Sequence, residues 1–427
     1  EFSLASNPDV ARAGIDPLGH YLAQGWREGR CPSPRFDTAF YLGRYPDVAA
    51  SGLNPLEHYV RYGRREGRLG RSPYRTELDV LRSALQPACP GDAATEQPAA
   101  ARPAANLEKQ LSRVVGSSRR RVVVAFSHDA YPEHVGGIQI FLVDEQRAVN
   151  ARGDGYLALS PARLSGCLAD DADPSTFGLV AVANGTTLGG ASADAVVAAL
   201  CAELARRPDL EVVLVFHSLL GHSIPILLGL HEAVQNPKRA FLWIHDFFTL
   251  CPSFTLMRNQ VAFCHAPPVD SPACSICLHG EARRRHLGQM AELLRAVPVT
   301  VVAPSEAALD VWKRSGVHEA AGSVVQPHAR LRPRPAPKPE ADVGVRPDRS
   351  LRVGFCGYPL LHKGWFVFRD VAEAFADDPR YDFHHFGLGH PGGSAICFHE
   401  VRVTHADRYA MVEALQRYPV DVVLVPA

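Results

Sequence analysis

His217 stands directly after the apolar run 212–216, and His245-Asp246 directly after the run 240–244. Both runs are short and rich in apolar residues, which reads as strand. In open α/β sheets, ligands gather outside the carboxyl ends of the strands. Two imidazoles at two such ends therefore point to one cleft, where a group titrating near neutrality can hold or pass a proton. Two buried structural histidines give the same spacing. Val135-Gly136-Gly137-Ile138-Gln139 follows Ser127-His128-Asp129 and opens a helical stretch. Glycines there let backbone N–H groups approach an anion, although a plain tight turn needs them too. Cys356-Gly357-Tyr358-Pro359 and then His362-Lys363-Gly364-Trp365 follow the run 351–355. A lysine at a helix start after a glycine loop suits a phosphate; a solvated surface lysine is the plainer reading. Cys251, Cys264, Cys274 and Cys277 fall within 27 residues, flanked by His265 and His279. Cys274-x-x-Cys277 has metal-knuckle spacing, and four thiolates suit a tetrahedral structural zinc. The gaps of 12 and 9 residues between the earlier cysteines are not those of a standard finger, and buried thiols or a disulfide fit them as well.

These groups need elements to position them. Strands are predicted at 122–126, 178–183, 212–216, 240–244 and 300–303, and helices at 137–151, 191–206, 224–234, 284–295 and 305–314. Ser305 behind Pro304 caps the last helix. The alternation restarts with strands at 351–355, 381–386, 396–403 and 422–425 and helices at 365–375 and 408–417. Short strands alternating with helices predict an α/β fold, a mostly parallel sheet wound on both faces.

The N-terminal part is repetitive. Pro8-Asp9-Val10-Ala11 returns as Pro46-Asp47-Val48-Ala49, and Arg27-Glu28-Gly29-Arg30 as Arg65-Glu66-Gly67-Arg68, always 38 residues on. Of the 24 positions 7–30, 14 are identical to their counterparts. Each unit reads as two short helices, with Asn54-Pro55 as a start signal and cations at the end. Such a module is a spacer, or a surface for a protein partner. Pro- and Ala-rich segments then mark linkers. The expected organisation is a helical repeat module (1–85), a linker (86–118), a first Rossmann-like domain on the acceptor side (119–328), a Pro-rich linker (329–350) and the start of a second, nucleotide-sugar-binding Rossmann-like domain (351–427).

Composition bounds the function. The chain has 427 residues, 45 Lys+Arg against 45 Asp+Glu, 46% apolar and 21% charged residues. At ~100–200 residues per domain this allows two to four domains. Balanced charge argues against bulk nucleic-acid binding. Ten cysteines are too few for a disulfide scaffold, and no apolar run reaches the ~18 residues of a membrane span. Arg119-Arg120-Arg121 and Arg283-Arg284-Arg285 are short basic runs, read as solvated faces, with contact to an anionic membrane surface as the alternative.

The ordered set Val135-Gly136-Gly137-Ile138-Gln139, His217, His245-Asp246, Val302-Ala303-Pro304-Ser305 and Gly357 with Lys363-Gly364 resembles family 4 glycosyltransferases, from about residue 121 onward. The resemblance implies a GT-B fold with twin Rossmann-like domains, the second incomplete here. It implies transfer of a sugar, with retention, from a UDP- or GDP-linked donor to a glycan or lipid-linked acceptor, without a metal in catalysis. By the same resemblance Gly136 and Gly137 lie near the donor diphosphate, and His217 contacts the sugar. His245 and Asp246 stand on the acceptor side. Gly357 and Lys363 hold the diphosphate. An arginine that many relatives carry before that lysine is absent, and His362 would replace it only when protonated. The family's two glutamates would lie beyond Pro426-Ala427, so the chain is expected to be a piece truncated at both ends. The implied setting is surface-polysaccharide synthesis in a bacterial-type cytoplasm, peripheral to the inner face of the cell membrane. A sugar-nucleotide epimerase of the same fold and a non-catalytic scaffold working through the repeats are the rival readings.

Overall fold

The computed structural model describes residues 7–33, 35–71, 95–101, 106–170, 172–236, 238–258, 262–275, 277–329, 349–389 and 395–424. Most of the expected second linker, much of the first and residues 425–427 lie outside the described residues. The chain divides into two compact units, Glu1–Tyr131 with Leu142–Pro327, and Pro132–Phe141 with His328–Ala427. Residues 132–141, read from sequence as part of the first domain, thus group with the second unit.

In the first unit the elements run α1 (Leu107–Gly116), β1 (Arg121–Phe126), α2 (Gly137–Ala151, the part up to Phe141 grouping with the second unit), β2 (Gly155–Pro161), β3 (Gly178–Ala183), β4 (Thr186–Ser192) and α3 (Ala193–Ala205). They continue with β5 (Glu211–Phe216), α4 (Ile224–Ala233), β6 (Lys238–Trp243), α5 (Gly280–Ala296), β7 (Val299–Ala303), α6 (Glu306–Arg314) and β8 (Gly322–Val325). The strands form one sheet in the order β8-β7-β6-β5-β1-β2-β3-β4. From β8 to β2 every pairing is parallel; β3 and β4 add an antiparallel edge. That edge departs from the parallel sheet expected. Its cause is local: Asn184 (φ 47°) and Gly185 (φ 85°) are both left-handed and make the two-residue turn that folds β3 back on β4. The helix expected from residue 191 accordingly starts only at Ala193.

One face of this sheet is densely covered. Alternate strand residues such as Val122, Val124, Leu157, Val212, Leu214 and Val301 join Leu111 of α1, Leu200 of α3, Leu227 of α4, Leu293 of α5 and Trp312 of α6 in one buried cluster. The opposite face is lined differently. Glu145 and Val149 of α2, with Val123, Val213, Val215, Phe241 and Trp243 of the strands, border a cavity of about 300 Å³. Helices thus lie on both faces, five on the first and α2 on the second.

The stretch 86–118, read as linker, is corrected in its described part. Leu111, Val114 and Val115 of α1 are buried, and their spacing puts an apolar stripe on the core while Glu108, Lys109 and Arg113 face outward. Further upstream, Thr95–Glu96 pairs with Arg163–Leu164, and the buried Gln97 side chain accepts from Ala130 N at 3.1 Å.

At the N-terminus, helices Pro8–Ala13 and Pro17–His20 run into a π-helical turn, Tyr21–Gly25; Pro46–Ser51, Pro55–His58 and Tyr59–Gly63 follow the same order. Asn54 caps its helix, accepting from Leu56 N and Glu57 N. Arg30 makes a two-pronged pair with Asp9 (2.8 and 2.7 Å), and Arg68 contacts both oxygens of Asp47. Phe36, Tyr41 and Val48 form a small separate core.

The second unit holds β9 (Leu351–Cys356), α7 (Trp365–Ala374), β10 (Tyr381–Gly387), β11 (Ile396–Glu400), α8 (Ala410–Arg417) and β12 (Val422–Val423). Its sheet has the order β11-β10-β9-β12, all parallel. Phe355, Trp365, Phe368, Phe383 and Phe386 are buried, whereas the edge strand β12 leaves Val422 and Val423 43% and 44% exposed. Among the described residues no helix is long and apolar enough to cross a membrane.

Candidate functional site

The strand order of the large sheet reverses at β1, which has β2 on one side and β5 on the other. A crevice opens at the carboxyl ends of strands at such a point. His217 is the first residue after β5, and its N–H donates to Phe126 O, the last residue of β1, at 2.9 Å. His245 follows β6. The two histidines that the sequence placed at strand ends meet there: His217 Nδ1 and His245 Nε2 are 3.0 Å apart. The other ring nitrogen of His217, Nε2, is 2.9 Å from Glu145 Oε2, and the Tyr156 hydroxyl donates to the same oxygen at 2.8 Å.

This chain has a direction. A carboxylate only accepts, so Nε2 of a neutral His217 carries the proton and donates to Glu145. Nδ1 is then an acceptor, and His245 Nε2–H donates to it. Burial pushes the Glu145 carboxyl up, but the electrostatic attraction and hydrogen bond of the His217 N–H, with the Tyr156 donor, outweigh burial and hold it below its ordinary value. Trp243 stacks parallel on His245, ring centroids 5.2 Å apart, and steadies the outer ring. The His217 side chain is fully enclosed, while His245 is only partly buried. The resemblance assigns sugar contact to His217. Of the two rings, His217 is the enclosed one and His245 the more exposed.

Asp246 stands beside His245 and accepts from Phe248 N at 2.9 Å. Burial pushes its carboxyl up to about 6, so it can bind and release a proton near neutral pH. The turn after β1 is fixed from behind by His222, whose Nε2–H donates to Ser127 O at 2.7 Å.

The residues that the resemblance links to a diphosphate lie in the second unit. Gly357 ends β9 with φ 114°, a backbone that favours glycine. Its N–H donates to Phe386 O at 2.7 Å, and the buried His385 Nε2–H donates to its carbonyl at 2.9 Å. The approach is so close that a side chain on Gly387 would strike the Gly357 carbonyl. Lys363 ends a 3₁₀ turn, Leu361–Lys363, and is exposed. The left-handed Gly364 (φ 72°) leads from that turn into α7. Burial and the neighbouring Lys363 push the His362 pKa down. A side chain on Gly136 would meet the Gln139 amide, whereas Gly137 has open space at its Cα, room for a backbone approach. Gly136 and Gly137 belong to the second unit with Gly357 and Lys363; His217, His245 and Asp246 belong to the first.

The cysteine set is not a coordination sphere. No three of the sulfurs of Cys251, Cys264, Cys274 and Cys277 come within 4.8 Å of one another. Arg283 is buried among them instead, donating to Cys274 Sγ at 2.8 Å and to the carbonyls of Leu250 and Pro267. A guanidinium there repels a cation, and burial pushes the Cys251 thiol up to about 12. Of the two basic runs, Arg284, Arg285, Arg119 and Arg120 are exposed as expected of a solvated face, whereas Arg283 is buried and Arg121 pairs with Asp154 at 3.2 Å.

Sequence reasoning missed Glu145, Tyr156 and Trp243. Glu145 had a visible signal: with Leu142 and Val149 it follows the three–four spacing of one helix face, an acid inside an apolar stripe. Tyr156 was hidden because β2 was not recognised as a strand.

No protein-family model and no curated protein matches this chain. A solved structure, that of the glycotransferase of kitacinnamycin, is similar over 66% of this chain and 71% of that one, at 14% identity and a TM-score of 0.27. That score is too low for the two folds to be called the same.

Proposed function

We propose that the chain is a retaining glycosyltransferase of the family 4 kind, moving a sugar from a UDP- or GDP-linked donor to a glycan or lipid-linked acceptor. The observation that carries this reading is the Glu145–His217–His245 relay beside a carboxyl poised near neutrality, at the point where the large sheet reverses its strand order. Glu145 fixes the His217 tautomer, His217 orients His245, and His245 meets the sugar with Asp246 on the acceptor side. In the second unit, taken by itself, the exposed Lys363 supplies a positive charge, and the backbone at Gly136, Gly137 and Gly357 supplies the close approach, that suit a diphosphate. As the sugar–phosphate C–O bond breaks, the acceptor oxygen bonds to the same carbon on the same face. The leaving diphosphate takes the hydroxyl proton, so no side chain need act as nucleophile. The proposed setting is surface-polysaccharide synthesis at the cytoplasmic face of a membrane, with the repeats as a contact for a protein partner.

The test uses the full chain with a panel of UDP- and GDP-sugars, reading nucleoside diphosphate release with and without glycan acceptors. Acceptor-dependent release, falling about 10²-fold or more in His245→Ala, is the expected result. Absence of any nucleotide-sugar binding by calorimetry removes the enzyme reading. Formation of an epimer without acceptor replaces transferase by epimerase.

A further inference from the structure

The second unit carries a set of ligating side chains that sugar transfer does not use. In the parallel pairing of β10 and β11, His384 lies opposite Cys397 and Phe386 opposite His399. Residues two apart on a strand share a face, so His384, Cys397 and His399 line the same face of the sheet, with Asp382 one step before His384. The three offer one ligand atom each, all within 4.8 Å of one another, and no other set of three His, Cys, Asp or Glu among the described residues does so. His384 Nδ1 is 2.9 Å from His399 Nε2, and His384 Nε2 is 3.2 Å from Asp382 Oδ2. Phe386 stacks on His399 (centroids 4.5 Å, 10°) and Tyr418 lies against it at 4.3 Å, so that ring is held in place.

The geometry points to a divalent metal site of the zinc type: His384 Nδ1, His399 Nε2 and Cys397 Sγ as ligands, Asp382 behind His384, and a fourth position open to water. Asp382 approaches the far nitrogen without hydrogen-bond geometry; a small turn of the carboxylate onto it would fix the tautomer that directs the Nδ1 lone pair inward and raise its basicity. Without metal, one proton must sit between the two facing nitrogens; a cation takes its place, and the Cys397 thiol gives up a second proton to bind. Two imidazoles and one thiolate form a borderline-soft set that favours zinc over hard cations. Tetrahedral zinc sets its nitrogen ligands about 3.3 Å apart and nitrogen from sulfur about 3.6 Å. The observed nitrogen pair must open by only a few tenths of an ångström. Cys397 is exposed, which leaves the site reachable from solvent.

Co²⁺ titrated into the reduced full-length chain reads the site directly. The expected result is a thiolate-to-cobalt charge-transfer band with tetrahedral visible bands, saturating near one equivalent. Cys397→Ser removes the charge-transfer band, Asp382→Asn weakens binding roughly 10- to 100-fold, and Cys274→Ser leaves both unchanged. Because Cys397 is exposed, its variant keeps the fold, checked by circular dichroism. A wild-type chain without the band, or a band that survives Cys397→Ser and disappears in Cys274→Ser, overturns the assignment.

Discussion

Glu145 is an ionised acid on a helix face otherwise turned to apolar groups, held there by one imidazole and one phenol. Its role is to choose a tautomer. In Glu145→Gln the amide offers a neutral oxygen and no charge, so His217 is no longer committed to donating through Nε2. Donor turnover is expected to fall about 10²-fold, with the donor KM changed little, because the residue acts through His217 and not on the substrate. Steady-state kinetics of nucleoside diphosphate release check this. A variant with wild-type turnover makes the relay purely structural. At this scale the sequence was legible in the strand ends that carry His217, His245 and Gly357. It was not legible where a polar residue interrupts an apolar helix face, because periodicity assigns such a position to the core and says nothing of the partner it meets.

At the scale of elements, α1 is the sharpest divergence between composition and structure. Pro and Ala around it read as linker, yet Leu111 is fully enclosed against the sheet's helices. Leu111→Ala should cost about 2–5 kcal/mol of unfolding free energy, measured by urea denaturation. A change below about 0.5 kcal/mol, the size of a surface substitution, would return this segment to a linker. The parallel core strands were readable because strands buried on both faces are continuous apolar runs, such as Val122, Val123 and Val124. The antiparallel edge was signalled by Asn184-Gly185, a turn pair whose left-handed backbone folds strands back. It went unread because β4, with Gly189 and Gly190 at its centre, has little strand composition. The mid-chain cysteines show the opposite failure: spacing suggested convergence, and the buried Arg283 keeps the sulfurs apart.

For the whole molecule, buried titrating groups set how stability responds to acid. Burial pushes His222 and His286 down to about 4, so each takes up its proton more readily unfolded than folded between that value and 6.5. Their stabilising effect is full above pH 6.5 and is lost as pH falls through 4. Asp246, pushed up to about 6, has the opposite sign: between 3.8 and 6 it holds a proton folded that it releases unfolded, which favours folding more as pH falls. Near pH 5 His222 and His286 take up protons on unfolding, His231, His318, His362 and His399 act in the same direction, and Asp246 releases one. Unfolding free energy should therefore fall on acidification, and Asp246→Asn should steepen that slope by about 1.4 kcal/mol per pH unit. Denaturation at closely spaced pH values measures both, and an unchanged slope in the variant rules out the raised carboxyl.

Among the described residues the small parallel sheet ends on β12, where Val422 and Val423 are exposed and one side of the strand has no neighbouring strand. Parallel sheets normally hide such edges. The consequence is colloidal: in concentrated solution this strip of unpaired backbone and valine is the place where one molecule would start to add to the next. Val423→Lys should lower static light scattering at equal concentration without shifting the thermal midpoint. Equal scattering from both proteins would place the weak point for self-association elsewhere on the surface.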